Sequence, residues 1–354
     1  MRVAGNRPVS PGWPMLDQTA ATRRAEARPD PLPAWAWDAF PEGLARQSEG
    51  VWAPRNYSWG LAEQARINMA ATRRAGAAPS VSQHFEHLLR TAVDRACPDL
   101  PARALVLDLR SGDGARSVTP WLNVLPDAHI VASDPASMLL ATMVSRAAMV
   151  GDEDRVMGVV AEPERVPVAP ASFDLVSGVA CLHELDDPDL VLAAAARALK
   201  PGGYAVFLAP FDGHGILRLA YERICAEAPL WPDAPLAPGV AEGLEALIAD
   251  VAARTLPDST DPAFQVLEQK WLFSRESLET AARAFGFHEV RFLPHNDHET
   301  LYRDVATVQL RMVTGRPDAK LPDWALALLD SFDRALRPPV KRLLMLEGTM
   351  VLRR

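Results

Sequence analysis

The stretch Ala104-Leu-Val-Leu-Asp-Leu-Arg-Ser-Gly-Asp-Gly114 decides the fold. It opens as a continuous apolar run, Ala104 to Leu109, set off by Pro98 and Pro101 before it and by glycines after it, and so reads as a buried strand. Asp108 sits near the strand's end. Gly112 and Gly114 then allow a tight turn in which backbone approaches a ligand and points amides at it, with Ser111 between strand and glycines. Asp108 can either anchor that loop or receive a ligand's ammonium.

Outward from this stretch the chain alternates strand and helix. Strands are expected at His129 to Ala132, Val156 to Val160, Phe173 to Ala180 and Tyr204 to Ala209, and helices at Ala136 to Ala148 and Leu190 to Leu199. Such alternation implies an α/β fold, a doubly wound and mostly parallel sheet with helices on both faces. Lys200-Pro-Gly-Gly203 stops a helix and turns into the fifth strand. Upstream, helices are expected at Leu61 to Arg74 and Val81 to Ala96, with Ser82 capping the second. Residues 1 to about 56 are broken by prolines, yet Trp35, Trp37 and Trp52 speak for packing rather than disorder. Downstream, helices at Ile216 to Ala228, Val240 to Arg254 and Phe273 to Phe285 flank a proline-rich connector, then a strand at His288 to Leu293, a helical excursion at about Leu301 to Leu336 and a last strand at Glu347 to Leu352. The expected organisation is an N-terminal arm and helical cap over 1–80 and a core over 81–354, with helical insertions at about 213–262 and 299–341.

Composition narrows the function classes. With 37 Lys and Arg against 45 Asp and Glu, the formal charge is −8 and no basic block stands out, which disfavours nucleic acid as a partner. No run approaches the roughly 18 apolar residues of a spanning helix, and Met1 to Ala20 lacks the apolar centre of a signal peptide. Cys97, Cys181 and Cys225 form no CxxC pair, so neither a disulfide framework nor a zinc site is expected. A cytoplasmic protein is the expectation. Oligomeric state is not legible.

A second acidic signal comes at the end of the second strand. Asp134, next to Pro135, lies about twenty residues beyond the glycine loop, where a carboxylate accepts hydrogen bonds from a ribose diol. By itself that spacing fits several nucleotide cofactors. The wider pattern is more specific: over about 100 residues the segment resembles the core of class I S-adenosylmethionine-dependent methyltransferases. Val106-Leu-Asp-Leu-Arg-Ser-Gly-Asp-Gly114 is similar to that family's first motif and Val131-Ala-Ser-Asp-Pro-Ala-Ser-Met-Leu139 to its second. Glu162-Pro-Glu-Arg-Val-Pro167 with Phe173-Asp-Leu-Val176, then Leu182-His-Glu-Leu-Asp-Asp-Pro188 and Leu199-Lys-Pro-Gly-Gly203, continue the series in order.

The resemblance implies S-adenosylmethionine as cofactor and S-adenosylhomocysteine as product, with no metal. It implies Glu162 beside the adenine amino group with Pro163 against the purine, Asp134 at the ribose, and backbone at Gly178, Val179 and Ala180 along the methionine part. The acceptor is expected to be a small metabolite methylated at O or N. Where the family's first motif carries glycine this chain has Arg110, whose side chain either leaves toward solvent or pairs with the cofactor carboxylate. That departure sustains an alternative, a protein that keeps the fold without methylating, as a cofactor-binding module or an enzyme such as a cyclase. An RNA methyltransferase is a weaker alternative. His183, at the end of the fourth strand, is the candidate general base, set against a packing role. Tyr57 and Trp59 are candidate aromatic walls for substrate, and His214 a candidate substrate contact beyond the fifth strand. His295 and His298 form an H-x-x-H pair read as solvated loop residues, and Asp186 and Asp187 as a helix cap.

Overall fold

The computed structural model describes residues 32–57, 61–71, 79–255, 257, 259–295 and 298–354. Nine strands form one sheet: β1 (Leu44–Ser48), β2 (Val51–Pro54), β3 (Leu105–Leu109), β4 (His129–Ser133), β5 (Val156–Val159), β6 (Phe173–Val179), β7 (Leu199–Pro210), β8 (Glu289–Pro294) and β9 (Glu347–Arg353). Their order is β1-β2-β5-β4-β3-β6-β7-β9-β8. From β2 to β7 the neighbours run parallel, with Asp108 opposite Ala132 on one side and Ser177 on the other. The chain leaves β3 toward β4 and later returns to β6 on β3's other flank, so the order reverses at β3. At such a switch point the loops at the carboxyl ends of two neighbouring strands diverge and leave a crevice.

Period-two alternation along the strands builds the layers. Leu107, Leu109, Val131, Met157, Phe173 and Phe207 bury one face of the sheet, while Val106, Ile130, Val156, Leu175 and Val206 bury the other. In the helix after β4 (α4, Ser137–Met149), Leu140, Met143, Val144 and Ala147 fall on one stripe and cover the second face. Trp121, in α3 (Val118–Val124), is fully buried there and donates from Nε1 to Ser177 Oγ at 2.7 Å, which holds this helix to β6. A third cluster is mostly helical. Leu217, Tyr221 and Ile224 of α6 (His214–Glu227), Leu244 of α7 (Val240–Thr255), Tyr302 and Leu310 of α10 (Leu301–Thr314) and Leu329 of α11 (Asp323–Ala335) pack together.

Several details differ from expectation. Residues 44–54, expected to be an irregular arm, form the β1–β2 ribbon, and β2 extends the sheet beside β5 in parallel. Trp52 is buried on that ribbon, Trp35 packs against His129 with ring centroids 4.9 Å apart and planes tilted by 34°, and Trp37 is 56% exposed. Helix α2 (Pro79–Ala96) begins before Ser82, so Ser82 lies within its first turns and is no cap; a proline tolerated in a first turn starts it instead. Lys200 to Gly203 ends the preceding helix α5 (Pro188–Ala198) but is itself part of a register irregularity inside β7. Asp261 caps the short α8 (Pro262–Val266) by accepting from Ala263 N. Helix α9 spans only Arg275–Ala284, because Ser274 caps it by accepting from Ser277 N.

Candidate functional site

The loops after β3, β4, β5 and β6 converge at the carboxyl end of the sheet. The loop after β3 has a left-handed backbone at three residues, with φ of 58° at Arg110, 58° at Gly112 and 75° at Gly114. At Gly114 the glycine is required by space as well, since a Cβ would stand 2.5 Å from Met143 Cγ. Arg110 has no such excuse, and an L side chain in this conformation costs roughly 1–2 kcal/mol. Ser111 N donates to Ser133 O at 2.9 Å, and Gly112 N donates to Asp134 Oδ2 at 3.1 Å, so the loop is stitched to the end of β4.

Asp134 is fully buried. Its other oxygen, Oδ1, accepts from Ala136 N at 2.8 Å, so one carboxylate orders both the glycine loop and the turn at Pro135. Asp108 is also fully buried, with Oδ2 accepting from Ser117 Oγ at 2.6 Å and Oδ1 without a hydrogen-bond partner. Burial pushes its carboxyl up to about 6, against the pull of hydrogen bonds from Ser117, Ser111 and Ser177. Helix α1 (Leu61–Ala71) lies over the β4 loop: Gln64 Nε2 donates to Pro135 O at 3.2 Å, and Ile67 packs on Ala136 and Leu139.

A cavity of about 520 Å³ opens beside these loops, with Arg110, Glu162, Glu184, Leu185, Asp186 and Lys270 in its wall. Glu162, from the end of β5, also faces a neighbouring cavity of about 510 Å³ that holds Tyr57 and Asn56. Burial and then Glu164 raise the Glu162 carboxyl, with Arg110 acting the other way. Pro163, buried, starts the short turn Pro163–Arg165 that fixes Glu162 in the wall. On the opposite side, Ser111, Gly112, Val179 and Ala180 line a slot of only about 40 Å³. Ala180 ends β6 with φ of 53°, and Gly178 stands where a Cβ would lie 2.6 Å from the Phe207 ring.

Arg110 neither leaves toward solvent nor stands free. Its Nε and Nη2 each lie 3.1 Å from Glu184 Oε2, and both side chains are 20% exposed. Sequence reasoning passed over Glu184 because the two residues are 74 positions apart and meet only through the adjacency of β3 and β6.

The candidate histidines fall into two environments. His183 is only 6% exposed, with Nδ1 unpartnered, and its carbonyl accepts from Lys270 N at 2.6 Å. Burial lowers its ring to about 4, Glu347 opposing this while Arg254 and Arg110 add to it. His214, at the start of α6, is buried between Gln309 and Glu347, with Nδ1 3.4 Å from Gln309 Nε2 and Nε2 3.4 Å from Glu347 Oε1. Tyr221 donates to Gln309 Oε1 at 2.7 Å, which turns the amide NH₂ toward Nδ1 and leaves the imidazole proton on Nε2 for Glu347. His295 is not a solvated loop residue: it meets Thr349 Oγ1 at 2.7 Å, and burial lowers its ring to about 4. His298 is exposed and pairs with Asp304 at 3.1 Å. Among the described residues no group of three or more His, Cys, Asp or Glu could hold a metal. Asp187 caps α5 by accepting from Asp189 N. Tyr57 lies beside Glu162, and burial followed by that carboxylate raises its phenol. Trp59 lies outside the described residues.

Residues 107–207 match the family model described as a methyltransferase domain. An uncharacterized protein from Synechococcus sp. is 33% identical over 123 residues, which is 34% of this chain and 29% of that protein, so the chain spans under a third of this relative's length. Among solved structures, the [4+2]-cyclase SpnF is 17% identical, with 76% of this chain and 80% of that one covered at a TM-score of 0.44. The phosphoethanolamine N-methyltransferase 2 of Haemonchus contortus, in complex with S-adenosyl-L-methionine, is 15% identical, with 85% of this chain and 60% of that one covered at a TM-score of 0.44.

Proposed function

We propose that this chain, whose residues 107–207 match a methyltransferase domain, binds S-adenosylmethionine and transfers its methyl group to an O or N nucleophile of a small metabolite. One observation carries the reading: the glycine loop, the Asp134 turn and the Glu162 carboxylate converge from three neighbouring strands on one end of the sheet. The donor set suits the cofactor. Glu162 in a cavity wall can accept from an adenine amino group, and a cavity of about 520 Å³ is of ligand size. Asp134, already bound to two backbone amides, would reach a ribose diol through the remaining lone pairs of its oxygens once the turn opens.

When bound, S-adenosylmethionine supplies an electrophilic sulfonium methyl, so alignment with the nucleophile provides much of the rate. The protein's part is to hold, orient and exclude water. In this reading residues 32–57 and the insertions at about 213–262 and 299–341 border the acceptor, with Tyr57 and His214 among its contacts. His183 is neutral at pH 7 and keeps one ring nitrogen for an acceptor's hydrogen. With a conjugate acid near 4 it is a weak proton sink, which suits an uncharged amine or an already acidic hydroxyl better than an alcohol. The wall of the larger cavity carries five carboxylates against three cations, which disfavours phosphate-rich RNA as acceptor.

The Arg110–Glu184 pair beside the 40 Å³ slot favours a second reading, a fold-retaining protein that binds the cofactor and does other chemistry, such as a cyclisation. Calorimetry with S-adenosylmethionine and S-adenosylhomocysteine tests the first step: both are expected to bind, and more weakly to Glu162→Gln. Absence of binding at millimolar concentration would remove the methyltransferase reading. Binding with no transfer of labelled methyl to any small-molecule acceptor would favour the second one.

A further inference from the structure

We propose that Arg110 and Glu184 are a matched pair for a zwitterion: they close on each other in the free protein and part on binding, Arg110 to the carboxylate and Glu184 to the ammonium of the cofactor's α-amino acid end. The inference rests on the cofactor reading above and names the residues that select one end of that ligand.

Position comes first. Both side chains line the 520 Å³ cavity that holds Glu162, and both also line the 40 Å³ slot beside Gly112 and Ala180. The ion pair is therefore the wall between the two spaces. The slot, at about 40 Å³, is less than a tenth of the cavity beside it. Parting the pair joins slot and cavity.

Charge balance comes next. Both Arg110 nitrogens reach the same Glu184 oxygen at 3.1 Å, a fork on one atom rather than the two-oxygen clamp that guanidinium and carboxylate form at their best. The pair is 20% exposed on each side, so opening it alone strands two partly desolvated charges. An α-amino acid brings one charge of each sign and is itself neutral, so exchange restores both partners. With glycine at 110, Glu184 would lose the guanidinium it pairs with, in a cavity wall it shares with the Glu162 carboxylate. The left-handed backbone of Arg110 carries a strain that glycine would avoid, which a role for the side chain accounts for.

Three probes test this by calorimetry on the full chain. S-adenosylhomocysteine carries both charges, its decarboxylated analogue only the ammonium, and 5′-methylthioadenosine neither. Arg110→Gln should weaken S-adenosylhomocysteine by about tenfold or more, while the decarboxylated analogue and methylthioadenosine change less than about twofold. Glu184→Gln should weaken the first two and spare the third. Arg110→Lys, which keeps the charge, should recover part of the loss, and thermal melts establish that each variant is folded. A structural role alone would move all three ligands together. Uniform weakening, or tighter S-adenosylhomocysteine binding to Arg110→Gln, overturns the exchange while the cofactor reading stands. Failure of all three ligands to bind the unmodified protein at millimolar concentration overturns both.

Discussion

Asp108, near the end of β3, and His183, in the turn Leu182–Glu184 that follows β6, are perturbed in opposite senses. Asp108 titrates at about 6 in the folded chain against about 3.9 when unfolded, so its contribution to stability is complete below pH about 4 and is lost as pH rises through 6. His183 titrates at about 4 against about 6.5, so its contribution is complete above 6.5 and is lost as pH falls through 4. Each amounts to ~3 kcal/mol, and between pH 4 and 6.5 they largely cancel. Asp108→Asn removes one limb. Urea titrations should then show the variant losing ~3 kcal/mol relative to the unmodified chain as pH falls from 7 to 4; parallel stability curves would contradict this role for Asp108. Both residues were legible in the sequence as site candidates, because a carboxylate before a glycine turn and a histidine near a strand's end are local patterns, although His183 falls in the turn Leu182–Glu184 past β6 and not at the strand's end. Their burial was not, and it changes what they can do: His183 becomes a neutral polar contact.

At the scale of elements, the strands and helices between residues 104 and 210 follow from local pattern. Continuous apolar runs read as parallel strands, and Pro98, Asp134-Pro135 and Lys200 to Gly203 mark where elements stop. Ribbon β1–β2 escaped that reading because its strands are short and carry no clear apolar run, and β2 joins the sheet only through pairing with β5. The partners of His214 were equally hidden, since Gln309 and Glu347 come from elements 95 and 133 residues away. The entry into α6 is another product of tertiary packing. Gly213 has ordinary helical φ, yet a Cβ there would lie 2.2 Å from Met345 O and 2.3 Å from Leu344 O. These are backbone atoms of the segment leading into β9, and they cannot turn aside. Gly213→Ala is expected to cost more than about 3 kcal/mol and to displace His214 from Glu347. Thermal denaturation checks the first, and a variant as stable as the parent would show that this close approach does not exist.

On the scale of the whole molecule, a switch point at β3 puts the glycine loop and the β6 end side by side, and the helical cluster of α6, α7, α10 and α11 follows β7 at the same end. That cluster is held together by a charge as well as by apolar packing. Buried Lys341 donates to Asp333 Oδ1 at 2.7 Å and to Glu299 O at 2.6 Å, while Asp333 also accepts from the first amides of α10. Such a site was not legible, because lysine in a helix at residues 338–343 reads as a solvated face. The loops proposed to hold the cofactor were legible because they are short connections between adjacent strands, and the surroundings proposed for the acceptor were not, because they depend on how insertions pack. The measurement that bears most directly on the central claim is a crystal structure of the chain grown with S-adenosylhomocysteine. The adenine amino group is expected within hydrogen-bond distance of Glu162 and the amino acid end between Gly112, Arg110 and Glu184, with the Arg110–Glu184 contact broken. S-adenosylhomocysteine seated elsewhere, or a site that stays closed at saturating ligand, would contradict it.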